Sequence, residues 1–160
     1  MSKTTRATQT LTKAGISFTT VTYEYDPNAE RIGLQAAEAI GAEPHLVLKT
    51  LMAEAEVDGK AVCVVVPSDH EVSMKKLAAA FGGKSAHMMK PADAERATGY
   101  HVGGISPFGQ KKQVPTAIEV QSMGHELVYM NGGQRGLQVR LSPGHAQAVL
   151  KALAVSLVTE

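Results

Sequence analysis

The sequence predicts a single-domain α/β protein whose mixed β-sheet, curled or closed into a barrel, has helices packed outside it. The length of 160 residues is that of one ordinary domain, and we assign residues 1–160 to it. Helix and strand patterns interleave along the chain, which favours an α/β class. Several connections between strands are too short for the crossover that a parallel pair needs, so we expect antiparallel pairs as well.

The first half of the chain is predicted from periodicity and from helix-end signals. Gly15 and Gly41 end two short helical patterns. Asp58-Gly59 separates two apolar runs and predicts a hairpin turn. These patterns predict a helix over 5–14, a strand over 16–25, a helix over 33–41 and strands over 46–57 and 61–67.

The second half contains two helical patterns, a long glycine-rich stretch, three short strands and a final helix. Ser73 is a plausible N-cap of the first helix, Gly82 ends it, and Pro91 takes the first position of the next. Ser142 is expected to cap the last helix. The predicted elements are a helix within 68–83, a helix over 91–98, strands over 116–120, 126–131 and 137–141, and a closing helix over 142–157.

Composition excludes several classes of protein. The formal net charge of +1 argues against a general binder of polyanions, so a nucleic-acid partner would need a local basic patch. No apolar run approaches the roughly 18 residues of a membrane span, and the N-terminus has no apolar signal region. The single cysteine, Cys63, fits a reducing compartment. We expect a cytoplasmic protein without a membrane partner.

The sequence offers no metal site, no cofactor site and no evident protein nucleophile. The six histidines fall at no ligand spacing, and Cys63 has no partner cysteine. Neither a phosphate-binding loop nor a dinucleotide fingerprint is present. Cys63 lies in the apolar run "AVCVVV", where a thiol is inaccessible and its pKa is raised, so we interpret it as a core residue.

Lys49 is the unusual residue of the predicted strands. In "LVLKTLMAE" both alternating faces are largely apolar, which predicts a strand buried on both sides with a cation near the core. A buried lysine is costly unless it reaches water or a polar partner. Either Lys49 reaches solvent at a strand end, or it lies at the mouth of a pocket.

Three further segments are candidates for converging with Lys49. They are the loop 103–109 within "GYHVGGISPFGQKKQVP", the glycine-rich "NGGQRG" at 131–136, and "YEYDP" at 23–27, where a strand ends. Glycine-rich loops can present free backbone N–H groups to an oxygen ligand. They also form ordinary tight turns, and the sequence alone leaves both interpretations open for "NGG".

The strings "TGYHVGGISPFGQKK", "NGGQRG", "LKTL" and "TYEYDP" together resemble the YbaK/EbsC family of free-standing aminoacyl-tRNA editing domains. The resemblance runs from about Thr4 to the C-terminal helix. It implies a YbaK-like mixed barrel of six or seven strands ringed by helices. It also implies hydrolysis of the ester that joins a wrong amino acid to tRNA, typically cysteine on proline tRNA. In this family the thiol of the bound cysteine is thought to attack its own carbonyl.

The resemblance assigns roles residue by residue. Lys49 matches the family's central lysine, which would position the ester and stabilise its charge. Relatives have Phe at Ile32 and "SGGKRGLD" where this chain has "NGGQRGLQ", so Asn131 replaces Ser and Gln138 replaces Asp. Lys111 and Lys112 are expected to contact tRNA phosphates. The substrate-binding residues are expected to be Tyr23, Ile32, Thr50, Gly103, Gly104, Asn131, Gly132, Gly133 and Gln138.

The expected substrate is the acceptor end of an aminoacylated tRNA, and a prolyl-tRNA synthetase is a candidate partner that would select the tRNA. Two alternatives stay open. Ile32 and Gln138 could favour another small amino acid, or the chain could bind a tRNA end or a nucleotide without turnover. A panel of mischarged tRNAs separates the three, because a substrate-thiol mechanism fails on alanine or serine esters.

Overall fold

The computed structural model describes residues 4–28, 32–55 and 60–159, apart from the side chains of Ile32 and Gly33. Five α-helices and eight strands lie within these residues. The helices are α1 (Arg6–Lys13), α2 (Ile32–Ile40), α3 (Met74–Ala80), α4 (Pro91–Thr98) and α5 (Pro143–Leu150). The strands are β1 (Thr19–Thr22), β2 (Leu48–Ala55), β3 (Lys60–Pro67), β4 (Ala86–Met88), β5 (Thr116–Glu119), β6 (Val128–Asn131), β7 (Leu137–Leu141) and β8 (Leu153–Val155).

The strands form two sheets, and the larger one is mixed as predicted. Its order is β4-β2-β3-β5-β8, in which β2 is antiparallel to β3 and β4 while β5 is parallel to β3 and β8. The smaller sheet, β1-β7-β6, is antiparallel. The parallel neighbours are separated by long stretches of chain, as crossover connections require.

The prediction of a six- or seven-stranded barrel is not confirmed. The described residues hold eight strands divided between two sheets, and no barrel closes among them. An isolated bridge between Val47 and Tyr129 joins the start of β2 to β6. One bridge is too short a contact to continue a ladder around a barrel, so the two sheets stay separate.

The C-terminus departs from the predicted helix over 142–157. Helix α5 ends at Leu150, because Lys151 takes a left-handed conformation with φ of 52°. The chain then forms β8, which pairs with β5 at the edge of the larger sheet. Ser142 occupies the expected N-cap position, although its side chain makes no capping hydrogen bond. The chain after Leu150 therefore continues as a strand at the sheet edge rather than as a helical face, with Leu153 47% exposed.

Other boundaries follow the sequence more closely. Strands β2 and β3 pair antiparallel along their whole length, while the predicted Asp58-Gly59 turn lies outside the described residues. Ser73 caps α3 by accepting a hydrogen bond from the Lys76 backbone N–H at 3.1 Å. The strand predicted over 16–25 is limited to Thr19–Thr22. Strand β4 was not predicted.

The glycine-rich stretch 99–115 is anchored in the main core by Phe108. That side chain is fully buried and packs in a cluster with Leu11 and Ile118. The Tyr100 hydroxyl donates a 2.6 Å hydrogen bond to the Phe108 carbonyl, which ties the start of the stretch to its middle. None of the described helices is both long enough and apolar enough to cross a membrane.

Candidate functional site

A cavity of about 450 Å³ lies along an open edge of β2. Strand β3 pairs with β2 from Leu48 to Ala55, whereas β4 pairs on the other side with Ala53–Ala55 only. Residues 48–51 therefore have no partner strand among the described residues on their second edge, and they line the cavity together with Val47, which is bridged to Tyr129, and Met52, whose carbonyl accepts from the Met89 N–H. An unpaired strand edge places backbone groups as well as both side-chain faces within reach of a ligand.

Three residues of the cavity lining each have a buried side-chain oxygen with no hydrogen-bond partner among the described residues. Their buried atoms are the Tyr23 hydroxyl, the Thr50 hydroxyl and the Gln138 side-chain oxygen. A buried polar atom without a partner costs about 1–3 kcal/mol, so three in one cavity is an arrangement that a polar ligand would relieve. This group is called the polar floor below.

Lys49 belongs to the same wall as the polar floor. The residue is half-buried and lines the cavity, as does Thr50, the next residue on β2. The two interpretations left open by the sequence are a snorkelling surface lysine and a pocket cation. Its place in the cavity lining agrees with the second.

Burial raises the pKa of Tyr23 above its ordinary value, chiefly because the charged phenolate would lose its hydration. The Gln138 side chain lies close enough to oppose this shift, although it makes no hydrogen bond of normal geometry with the phenol. Tyr23 therefore stays protonated at neutral pH. Its buried hydroxyl can donate a hydrogen bond, and the residue lines the cavity.

Asn131 joins the two glycine-containing loops around the cavity. Its side-chain nitrogen donates to the Gly103 carbonyl at 3.1 Å, and its side-chain oxygen accepts from the Gly133 N–H at 2.7 Å. Asn131 and Gly103 both line the cavity. Gly103 has φ of 91°, and a Cβ there would lie 2.5 Å from the Tyr25 hydroxyl, so this position needs glycine.

The other glycines expected at the site lie behind the wall and do not line the cavity. A Cβ on Gly104 would lie 2.8 Å from the Arg135 backbone nitrogen, and one on Gly132 would lie 2.8 Å from the Leu137 side chain. Gly133 packs in the same way against the Tyr100 ring. These three glycines permit close packing of the two loops. Their predicted direct contact with substrate stays a prediction.

Three other predicted residues are not found among the described residues of the cavity lining. The side chain of Ile32 is outside the described residues. Lys111 and Lys112 are exposed and do not line the cavity. The Lys111 N–H donates to the Thr98 carbonyl at the end of α4, a helix that contributes to the cavity through its first half.

Several cavity residues were not predicted from the sequence. Ser68 and Glu71 follow β3, and the Ser68 hydroxyl donates to the Val47 carbonyl at 2.5 Å. Met88, Met89 and the start of α4 form another part of the wall. The string "SDHEV", with four polar residues directly after a buried strand, was the available signal for Glu71, because strand ends often carry ligand-binding side chains.

The described lining contains neither histidine nor cysteine, so no His-activated hydroxyl or thiol is available within it. Cys63 is fully buried, and burial raises its pKa to about 12, as expected for an inert core thiol. The described residues also contain no group of three side chains suited to a metal ion. The cavity residues can position and polarise a ligand.

Comparisons with known proteins find similarity to aminoacyl-tRNA editing domains and to a proline–tRNA ligase. The model of the aminoacyl-tRNA editing domain matches residues 26–149. EbsC of Enterococcus faecalis, whose inferred activity is Cys-tRNA(Pro)/Cys-tRNA(Cys) deacylase, is 35% identical over 122 residues, which are 76% of this chain and 74% of EbsC. The proline–tRNA ligase of Limosilactobacillus fermentum is 31% identical over 59% of this chain but only 17% of the ligase.

A solved structure has the same fold. It belongs to a protein described as a candidate trans-editing enzyme for prolyl-tRNA synthetase. The TM-score is 0.81 at 23% identity, over 97% of this chain and 96% of that one.

Proposed function

The chain belongs to the aminoacyl-tRNA editing domain family, and on that premise we propose that it is a hydrolase that removes cysteine from mischarged proline tRNA in trans. The polar floor carries this proposal. Three unpaired polar atoms and a lysine converge on one cavity. An aminoacyl ester offers a carbonyl, an α-amino group and a ribose hydroxyl, which are the kinds of groups that such atoms would pair with.

The reaction proposed uses the substrate as its own nucleophile. The sulfur of the cysteinyl group attacks its own carbonyl carbon, a new carbon–sulfur bond forms, and the carbon–oxygen bond to the ribose breaks. The ribose oxygen takes up the thiol proton and leaves as the free hydroxyl of the tRNA. Water then hydrolyses the cyclic thioester to cysteine. The lack of histidine and cysteine in the described lining supports this route.

Lys49 is proposed to stabilise the negative charge that develops on the carbonyl oxygen in this step. Lys49 is a half-buried residue of the cavity lining, and charge interactions at a half-buried site are stronger than in water. One such donor is typically worth about 3 kcal/mol, or a hundredfold or more in rate. Tyr23 and Thr50 would hold the ester by donating hydrogen bonds from their hydroxyl groups.

The choice of amino acid is proposed to depend on Gln138 and Asn131. Gln138 contributes a neutral amide to the polar floor at the position where relatives carry a carboxylate, and Asn131 holds the neighbouring loop. Selection of the tRNA is proposed to fall to a prolyl-tRNA synthetase. The match to part of a proline–tRNA ligase and the net charge of +1 support that division of labour.

The test is a deacylation panel with Cys-tRNA(Pro), Ala-tRNA(Pro) and Ser-tRNA(Ser), run with the wild type, Lys49→Ala and the exposed control Lys84→Ala. The proposal expects rapid loss of cysteine with the wild type, a loss of at least a hundredfold with Lys49→Ala, and no change with Lys84→Ala.

Other results would redirect the assignment. Comparable rates on alanine and serine esters would reject the substrate-thiol route. Full activity of Lys49→Ala would reject the role of the lysine. Binding of every tRNA without turnover would identify a non-catalytic module.

A further inference from the structure

The first turn of α1 lies between two loops that carry part of the cavity wall. One loop is the glycine-rich stretch 99–115, and the other is the segment 132–136 between β6 and β7. The turn makes hydrogen bonds to the chain at both loops, although no described residue of α1 lines the cavity itself. We propose that Arg6 is a positioning residue for deacylation, an inference that rests on the function proposed above.

The side chain of Arg6 holds the start of the glycine-rich stretch. Its Nη2 donates to the Thr98 carbonyl at 2.8 Å, and its guanidinium carbon lies 5.2 Å from the centre of the Tyr100 ring. The face of an aromatic ring attracts a cation placed over it. Gly99 lies between these two contacts, and a Cβ there would collide with the guanidinium group. Residues 98–100 are therefore fixed against one side chain.

The backbone of Arg6 contacts the same stretch at a later point. A Cβ on Gly109 would lie 2.6 Å from the Arg6 carbonyl oxygen, so the two backbones approach closely there. Phe108, directly before Gly109, is fully buried, and its carbonyl accepts from the Tyr100 hydroxyl at 2.6 Å. Arg6 therefore contacts the chain both before and after the segment 101–108.

The segment held in this way supplies part of the cavity wall, because Val102, Gly103 and Ile105 line the cavity. Lys49 belongs to a different element, β2, so its spacing from these three residues depends on how the segment is fixed. A misplacement of about 1 Å far from the reacting atoms can lower a rate by about a hundredfold. Arg6 can thus affect the reaction without touching the substrate.

The residue before Arg6 holds the second loop. The Thr5 hydroxyl donates to the Gly132 carbonyl at 2.5 Å, directly after Asn131 of the cavity lining. The same hydroxyl caps α1 by accepting from the Thr8 N–H at 3.1 Å. One helical turn therefore fixes the two loops relative to each other.

The experiment compares Arg6→Ala and Arg6→Lys with Arg96→Ala. Arg96 is an exposed arginine of α4 that pairs with Asp93 in its own helix and is not among the described lining residues, so it is a matched control. Arg6→Ala removes both side-chain contacts. Arg6→Lys keeps a cation and a donor but loses the planar group that lies over the Tyr100 ring.

On Cys-tRNA(Pro), Arg6→Ala is expected to lower kcat about tenfold and to leave KM nearly unchanged. A displaced wall reduces the share of bound ester that is aligned for attack, while Lys49 and the polar floor, which would hold the ester, stay in place. Arg6→Lys should lose less than Arg6→Ala, and Arg96→Ala should keep the wild-type rate.

Guanidinium ion separates positioning from stability. Arg6 is exposed, so a free guanidinium ion can reach the space that Arg6→Ala opens over the Tyr100 ring. Millimolar guanidinium should raise the kcat of Arg6→Ala severalfold, whereas urea, a neutral molecule of similar shape, should not. Guanidinium destabilises folded proteins, so it cannot rescue a variant that has merely lost stability. A full-rate Arg6→Ala enzyme, or a slow one that guanidinium leaves slow, would overturn the positioning role.

A structural readout separates this inference from the proposed function. The ¹⁵N–¹H signals of Gly103 and Gly104 should shift in Arg6→Ala, move back when guanidinium is added, and stay in place in Arg96→Ala. If the wild type deacylates no substrate, the proposed function fails, and these signals still test whether Arg6 positions the wall. Unmoved signals in Arg6→Ala would overturn that role as well.

Discussion

The side-chain amide of Asn131 connects β6 to the loop after α4 by donating to the Gly103 carbonyl at 3.1 Å. The same side chain accepts from the Gly133 N–H at 2.7 Å, so one residue satisfies a backbone group in each of two loops. Only 8% of Asn131 is exposed, so water cannot readily replace it. The shape of the cavity wall therefore depends on this residue.

Asn131→Ala is expected to lower the free energy of unfolding by about 2 kcal/mol, because it leaves two backbone groups without partners. It should also lower kcat/KM for deacylation by about tenfold, because a wall that includes Gly103 loses its anchor. Chemical denaturation and deacylation assays measure the two effects. Gln134→Ala, an exposed change in the same hairpin, should alter neither quantity. A stable, fully active Asn131→Ala protein would contradict the anchoring role.

Cys63 should make the stability of the protein fall at alkaline pH. Burial raises its pKa from 9.0 in the unfolded chain to about 12 in the folded one, so the folded state keeps a proton that the unfolded state releases. This contribution is complete below pH 9 and is lost as the pH rises toward 12. Between about pH 8 and about pH 10.5 the expected loss is on the order of 2 kcal/mol.

Cys63→Ala provides the comparison. Its stability at neutral pH should be lower because a buried side chain is shortened, but its alkaline slope should be shallower than that of the wild type. The measurement is chemical denaturation at a series of pH values. Equal slopes for the two proteins would show that Cys63 ionises as easily in the folded state as in the unfolded one.

A site residue could be predicted from the sequence only where its neighbours along the chain mark it as unusual. Lys49 was identified because a cation in a strand apolar on both faces is a local contradiction. The physical reason for the contradiction, an open edge of β2 beside a cavity, is tertiary, since it depends on how far β4 extends. Glu71 and Met88 lie in short segments without periodicity. Their place in the cavity follows from chain packing alone.

The difference between local and tertiary signals also explains which elements of the fold were predicted correctly. Helix α3 was predicted with its cap because Ser73 acts within four residues of itself. The closing helix was predicted too long because apolar residues after Leu150 fit either a helical face or a buried strand. These residues form a strand because the edge of β5 offers unpaired backbone groups with which β8 pairs. The barrel was expected from resemblance, and the described strands divide into two sheets instead.

Lys111 and Lys112 remain predicted tRNA contacts, and salt dependence tests them. Both side chains are exposed, so their role would be to neutralise phosphates without reading sequence. Replacing both with Ala should weaken tRNA binding and reduce the slope of log affinity against log salt by about 2. Binding of an uncharged tRNA is measured over a salt series. Replacing the exposed Lys75 and Lys84 together is the control, and equal slopes for both double variants would exclude a specific role.

Glu119 is expected to hold the C-terminal segment in place. The residue is 1% exposed, and one carboxylate oxygen accepts from the Leu157 N–H at 2.7 Å and from the Val158 N–H at 3.2 Å. The other oxygen accepts from the Gln121 N–H at 3.0 Å. The segment held in this way continues to Thr159, whose N–H donates to the carbonyl of Glu71, a residue of the cavity wall.

Glu119→Ala should therefore lower the free energy of unfolding by about 3 kcal/mol, because two buried N–H groups and one partly buried N–H group lose their acceptor. Glu119→Gln should have an intermediate effect, since its amide keeps one acceptor oxygen and turns a donor toward the remaining N–H groups. The exposed Glu126→Ala is the matched control and should be neutral. Hydrogen exchange at Leu157 and Val158 locates the effect, because fast exchange at both in Glu119→Ala requires the segment to detach. Continued protection of those two amides would mean that β8 pairing alone holds the C-terminus.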